Sequence, residues 1–109
     1  MTVYVDDMYL TRMGRFGRMR MSHMIADTPE ELRAMADTIG LARRHIQYEG
    51  HPAEHFDVSM EYRARAISAG ATPITMRDLA RKIRDRKVAY LEHYKSTQSA
   101  QSAVKGIDT

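Results

Sequence analysis

The 109-residue chain contains no cysteine. That excludes a disulfide framework, a thiolate metal site and a cysteine nucleophile, and it fits a reducing compartment. Long apolar runs are also missing. The longest spans only Val88 to Leu91, against about 20 residues for a bilayer-spanning helix. No signal-peptide pattern opens the chain, because Asp6 and Asp7 interrupt the first apolar stretch. A cytoplasmic location with no membrane contact is the expectation. Neither sign of charge dominates: 17 basic and 14 acidic residues give a net charge of +3, too mild an excess to announce a nucleic-acid binder by itself. There is no P-loop, no G-x-G-x-x-G and no Ser/His/Asp signature, and Gly14-x-x-Gly17 is too slight to cradle a phosphate.

What is present is an ordinary globular composition, 43% hydrophobic and 28% charged, which fits one domain. The clearest element starts at Thr28. An N-cap threonine, Pro29 at the first helical position and Glu31 three residues after the cap form a capping box, Leu32, Met35, Ala36 and Ile39 recur at helical spacing, and Gly40 supplies the stop. This predicts a helix over 29–39. A second helix is expected over about 60–69, capped by Ser59 and ended by Gly70. A third is expected from Thr75 to about Tyr94, with Met76, Leu79, Ile83, Tyr90 and Tyr94 in one stripe. Strands are expected at Val3–Val5, at 18–25, where Met19, Met21 and His23 share a face, at 71–75 and, more weakly, at 45–48. The resulting fold class is α/β: a small single domain over 1–95, with three to four strands in a mixed or mostly parallel sheet and three helices, followed by a flexible polar tail over 96–109.

Val3-Tyr4-Val5-Asp6-Asp7, Gly14-Arg15, Ser22-His23-Met24-Ile25-Ala26-Asp27-Thr28 with Glu30-Glu31-Leu32, Ile39-Gly40, His55-Phe56-Asp57 and Ala69-Gly70-Ala71 together make a combination that resembles the family catalogued as domain of unknown function 4031, over the region from Met1 to about Arg84. The resemblance implies a bacterial or bacteriophage protein that acts inside the cell, in the host cytoplasm if phage-encoded. It implies no activity. Two departures stand out: the family's usual His-Tyr-Asp reads His55-Phe56-Asp57, and the paired Arg43-Arg44 is followed by His45-Ile46 where relatives often carry tryptophan.

The candidate site gathers Asp6, Asp7, His23, Asp27, His55 and Asp57, with Arg15 or Arg18 near it. In a parallel sheet, strands end at one edge and ligands sit outside their carboxyl ends. Imidazole and carboxylate suit zinc, manganese or iron, and carboxylates suit magnesium. The functional reading is an anionic or metal-bridged ligand such as a nucleotide, with metal-assisted phosphoester hydrolysis as its catalytic version. In that version Asp6, Asp27 and Asp57 hold a divalent ion, His23 or His55 moves the proton, and Asp7, Arg15 and Arg18 contact the ligand. The structural reading of the same residues is that Asp27 and Asp57 cap helices, Asp6-Asp7 makes a turn, and His23 is a hydrogen-bonded core histidine. His51-x-x-x-His55 has a metal-like spacing, but Pro52 argues against a helical zinc face. Two other functions stay open. Arg77, Arg81 and Arg84, flanked by Lys82, Arg86 and Lys87 and extended by Arg12, Arg15, Arg18 and Arg20, form a basic ridge suited to a nucleic-acid backbone. The long apolar stripe of the third helix suits a homo-oligomer, and a non-enzymatic phage accessory protein binding a host protein or signalling molecule is the alternative class.

Overall fold

The computed structural model describes residues 2–87. The organising element is one eight-residue strand, Met19–Ala26, to which three other strands are paired. In chain order the strands are β1 (Val3–Val5), β2 (Arg15–Phe16), β3 (Met19–Ala26), β4 (Phe56–Ser59) and β5 (Thr72–Pro73). β1, β2 and β4 all run antiparallel to β3, and β5 joins β1 in parallel. The sheet is therefore mixed, with one parallel pair, and has five strands. The expected strand at 45–48 is absent as such. Arg43–His45 forms a short 3-10 turn, and Gln47 makes a single antiparallel bridge to His55. β2 and β4 are strands that periodicity does not mark.

The helices follow their caps. Helix α1 spans Pro29–Ile39, with the Thr28 hydroxyl accepting from the Glu31 amide at 3.2 Å and Gly40 in the left-handed conformation at φ 79°. The capping box is half made: the Glu31 carboxylate accepts instead from the backbone and hydroxyl of Thr2, at 2.9 and 3.0 Å, tying the start of β1 to α1. Helix α2 spans Met60–Ser68, capped by Ser59 through the Tyr62 amide. Residues 76–87 are helical (α3), and the Thr75 hydroxyl accepts from the Asp78 amide. Tyr90, Tyr94 and the polar tail lie outside the described residues.

Strand alternation splits the sheet into two faces. Val3, Val5, Met24, Ala26, Phe56 and Val58 face α1 and α2 and form the main core with Leu32, Met35, Ala36, Ile39 and Ala66. Tyr4 points the other way, under the Lys82 ammonium of α3 at 4.0 Å. Leu79 is buried and Met76 and Ile83 are half-buried, so the described part of the third-helix stripe is used within this chain. Among the described residues, no helix is long and apolar enough to cross a membrane.

Candidate functional site

The register of β3 against β4 builds the site. His23 is the direct cross-strand partner of Asp57. His55 lies two residues before Asp57 and therefore on the same face. Ligand atoms of His23, His55 and Asp57 lie within 4.8 Å of one another, and the two imidazoles meet edge to face at 5.0 Å. These three line a cavity of about 510 Å³ with Met8, Met13, Gly14, Arg15, Phe16, Met21, Gln47 and Tyr48. A shallower depression of about 550 Å³ between α1 and α2 contains no histidine.

Each imidazole is oriented through Nδ1. His23 Nδ1 lies 2.7 Å from Oδ2 of Asp6, a side chain that is 0% exposed. The other oxygen, Oδ1, accepts from the backbone amides of His23 at 2.8 Å and Met8 at 3.2 Å. Burial works to raise the Asp6 carboxyl, but these hydrogen bonds and the charge of His23 outweigh it and hold the group below the usual carboxylate value. An ionised carboxylate only accepts, so the proton sits on His23 Nδ1 and the Nε2 lone pair is left for a ligand. His55 Nδ1 lies 2.8 Å from the Ala53 carbonyl, which also only accepts.

His55 Nε2 then faces Asp57 Oδ1 at 3.3 Å. A lone pair pointed at a carboxylate repels unless a cation lies between them. With a proton as that cation, the His55 pKa is raised: burial lowers it, but the hydrogen bonds to Asp57 and Ala53 and the Asp57 charge prevail. The same contact, with the charges of His55 and His23, lowers Asp57 against its partial burial. A divalent ion can replace that proton.

The remaining candidates named from the sequence are placed elsewhere. Both Asp6 oxygens are engaged behind His23, so Asp6 supports a ligand and does not stand beside it. Asp7 accepts from the Met76 amide at 2.9 Å and anchors the start of α3. Asp27 accepts from the Tyr4 hydroxyl at the far end of β3. It is four residues from His23, about 13 Å at strand rise. The expectation of one shared strand edge fails for Asp27 because β3 runs antiparallel to β1. Arg18 is exposed in the β2–β3 turn and does not line the cavity, whereas Arg15 does. His51 Nδ1 accepts from the Ala53 amide and stays outside the cluster. The residue pattern does not single out Phe16, Gln47 or Tyr48, nor the buried Glu54 that fixes the loop before His55. The only signal for Phe16 is an aromatic set between two glycines and two arginines.

The profile of one protein family, described as Protein of unknown function (DUF4031), matches residues 3–86. The matched span contains the whole cluster and the Asp6 behind it. No curated protein and no solved structure matches the chain.

Proposed function

Since the chain belongs to the DUF4031 family, whose description assigns no chemistry, we propose a function from the site itself: His23, His55 and Asp57 hold a divalent transition-metal ion, through which the cavity binds an anionic ligand of the phosphate type. The observation that supports this most is the mutual approach of three ligand atoms within 4.8 Å, one of them on a histidine backed by a buried carboxylate. Carboxylate-backed histidine is the usual support of a metal-ligating imidazole. Two imidazoles and a carboxylate suit zinc, manganese or iron better than magnesium or calcium. Three protein ligands leave coordination positions open toward the cavity, as catalytic sites do.

An ion there acts as a Lewis acid toward an anionic oxygen and acidifies water. Arg15 is the cavity's cation and the group available to grip phosphate. The reaction this constellation suits is phosphoester hydrolysis. A water oxygen bonds to phosphorus, the bond to the departing alcohol oxygen breaks, and the proton lost by water ends on that oxygen. Both histidines serve as ligands in this reading, and Asp6 is a positioning residue.

Calorimetric titration with Zn²⁺ and Mn²⁺ tests it. Wild type should take up one ion with micromolar or tighter affinity, and His55→Ala and Asp57→Ala should each lose at least tenfold while keeping the melting temperature within a few degrees. Absence of micromolar binding in wild type would remove the proposal. Binding without turnover of bis-(p-nitrophenyl) phosphate would remove hydrolysis and leave a metal-bridged binding protein.

A further inference from the structure

Residues 8–26 include Arg12, Arg15, Arg18 and Arg20 and no acidic residue. All four arginines are exposed, and among the described residues none makes a side-chain hydrogen bond or ion pair. Arg44, Arg77, Arg81 and Arg84 are likewise exposed with no side-chain hydrogen bond or ion pair among the described residues, whereas Arg33, Arg43 and Arg65 meet carboxylates and Arg63 donates to the Asp6 carbonyl. What sets residues 8–26 apart is that no acidic residue lies among them. Arg15 and Arg20 are, moreover, direct cross-strand partners in the β2–β3 hairpin. Like charges placed opposite one another destabilise a hairpin. A bound polyanion would relieve that repulsion.

The other face of the same hairpin is apolar and equally bare. Phe16 pairs with Met19, and they are 76% and 50% exposed. Phe16 lines the cavity of the His/Asp cluster, and so does Tyr48, 65% exposed, whose ring lies 5.9 Å from His55. Tyr48 is held at φ 54°, the one described non-glycine residue with positive φ. A bulky side chain there carries backbone strain that glycine would not, and such strain gathers at working sites.

Although they leave opposite faces of the hairpin, Arg15 and Phe16 line the same cavity as Tyr48, and rings together with unneutralised guanidiniums are the two parts of a surface that stacks bases and tracks a phosphate backbone. An acidic peptide would satisfy the arginines and leave the rings idle, and a duplex hides its base faces. We propose that the hairpin and Tyr48 form a binding surface for single-stranded nucleic acid, which makes its phosphodiester the substrate class of the neighbouring cluster. Only that last clause rests on the metal reading; the binding surface stands without it.

The test is fluorescence anisotropy with labelled 12-nucleotide oligo-dT and oligo-U in EDTA, so that no ion takes part. Single strands should bind saturably. With four phosphates engaged, at roughly 0.7 per contact in the log–log salt slope, affinity should fall about 50-fold between 50 and 200 mM salt. The triple variant Arg15→Gln/Arg18→Gln/Arg20→Gln should reduce that slope by about 2. Phe16→Ala should weaken binding about tenfold or more. Tyr48→Gly should weaken it severalfold while the melting temperature holds or rises, a combination that a merely structural tyrosine would not give. No binding at 50 mM salt overturns the proposal. So does equal affinity for a duplex of the same length, equal competition by polyglutamate, or wild-type affinity in both aromatic variants. If oligonucleotides bind in EDTA and calorimetry finds no ion site, the metal reading falls and this one stands. The reverse result removes only this one.

Discussion

At Asp6 the chemistry of one atom decides what His23 can do. Oδ2 accepts the Nδ1 proton of His23 and Oδ1 takes two backbone amides, so both oxygens are committed to orienting this corner of the sheet. Asparagine keeps the shape and replaces one acceptor with a donor. If its NH₂ faces His23, Nδ1 must become the acceptor and the ring proton moves to Nε2, the atom a metal would need. If the amide flips, its NH₂ collides with two amide donors instead. Asp6→Asn should therefore weaken Zn²⁺ binding about 10- to 100-fold, the usual effect of losing such a backing group. Its cost in stability should be about 1–2 kcal/mol, as for a disturbed buried hydrogen bond. Calorimetry reads the first and urea unfolding the second. Imidazole ¹⁵N shifts should show the changed His23 tautomer, and a wild-type tautomer with wild-type affinity would deny Asp6 the positioning role.

At the scale of elements, legibility in the sequence tracks local chemistry. The helix starts at Thr28 and Ser59 and the stop at Gly40 are legible because a cap is a short-range signal. β1 is legible from its β-branched and aromatic residues, and β3 is displaced by one residue from its expected span. β4 is not legible: Phe56-Asp57-Val58-Ser59 is too short for alternation to separate strand from loop, and only its pairing with β3 makes it a strand. That pairing brings Asp57 opposite His23, so the decisive half of the site is set by a nonlocal register. Gly14 shows the same dependence. The sequence presents it as one of two glycines in a loop, but a Cβ there would lie 2.3 Å from the Met8 carbonyl oxygen and 2.8 Å from that of Met21. Both obstacles are backbone and cannot rotate aside. Gly14→Ala should cost about 3 kcal/mol, as overpacking does, and lower the melting temperature by more than 10 °C in a domain this small. At Gly17 a Cβ meets nothing within 4 Å and only φ 62° resists it, so Gly17→Ala should cost about 1 kcal/mol. Thermal melts of the two variants side by side decide whether close approach or backbone angle governs each glycine.

On the scale of the whole molecule, the loop that carries His55 and Tyr48 is held from both helical layers. From one side, Arg33 of α1 sets its Nη1 2.7 Å from Oε1 of Glu54, a charge contact whose angles fall short of a hydrogen bond. Glu54 is 0% exposed, and its Oε2 also accepts from the Gly50 amide at 3.3 Å. From the other side, the Arg86 guanidinium of α3 donates to the carbonyls of Pro52, Glu54 and Ala26, joining that loop to the end of β3. The site is thus an assembly of the sheet with what α1 and α3 press onto it, and its geometry depends on charges that contact no ligand. The two halves of the Arg33–Glu54 pair are unequal. Arg33 keeps about a quarter of its side chain in water, with the Pro29 carbonyl and the exposed Glu49 as further partners. Glu54 has no water to fall back on. Removing the cation strands a buried carboxylate, which costs about 3–5 kcal/mol in fully buried pairs; removing the anion leaves a guanidinium that rehydrates. Arg33→Met should therefore destabilise the fold by about 3 kcal/mol and Glu54→Gln by roughly half as much, measured by urea unfolding. In Arg33→Met the His55 amide, bonded to the Gln47 carbonyl at 3.1 Å, should exchange with solvent faster than the amides of α2, because the loop loosens before the core does. Equal losses from the two substitutions, with His55 exchange unchanged, would mean that the charge pair does not carry the loop and that Arg86 alone sets the position of the second histidine.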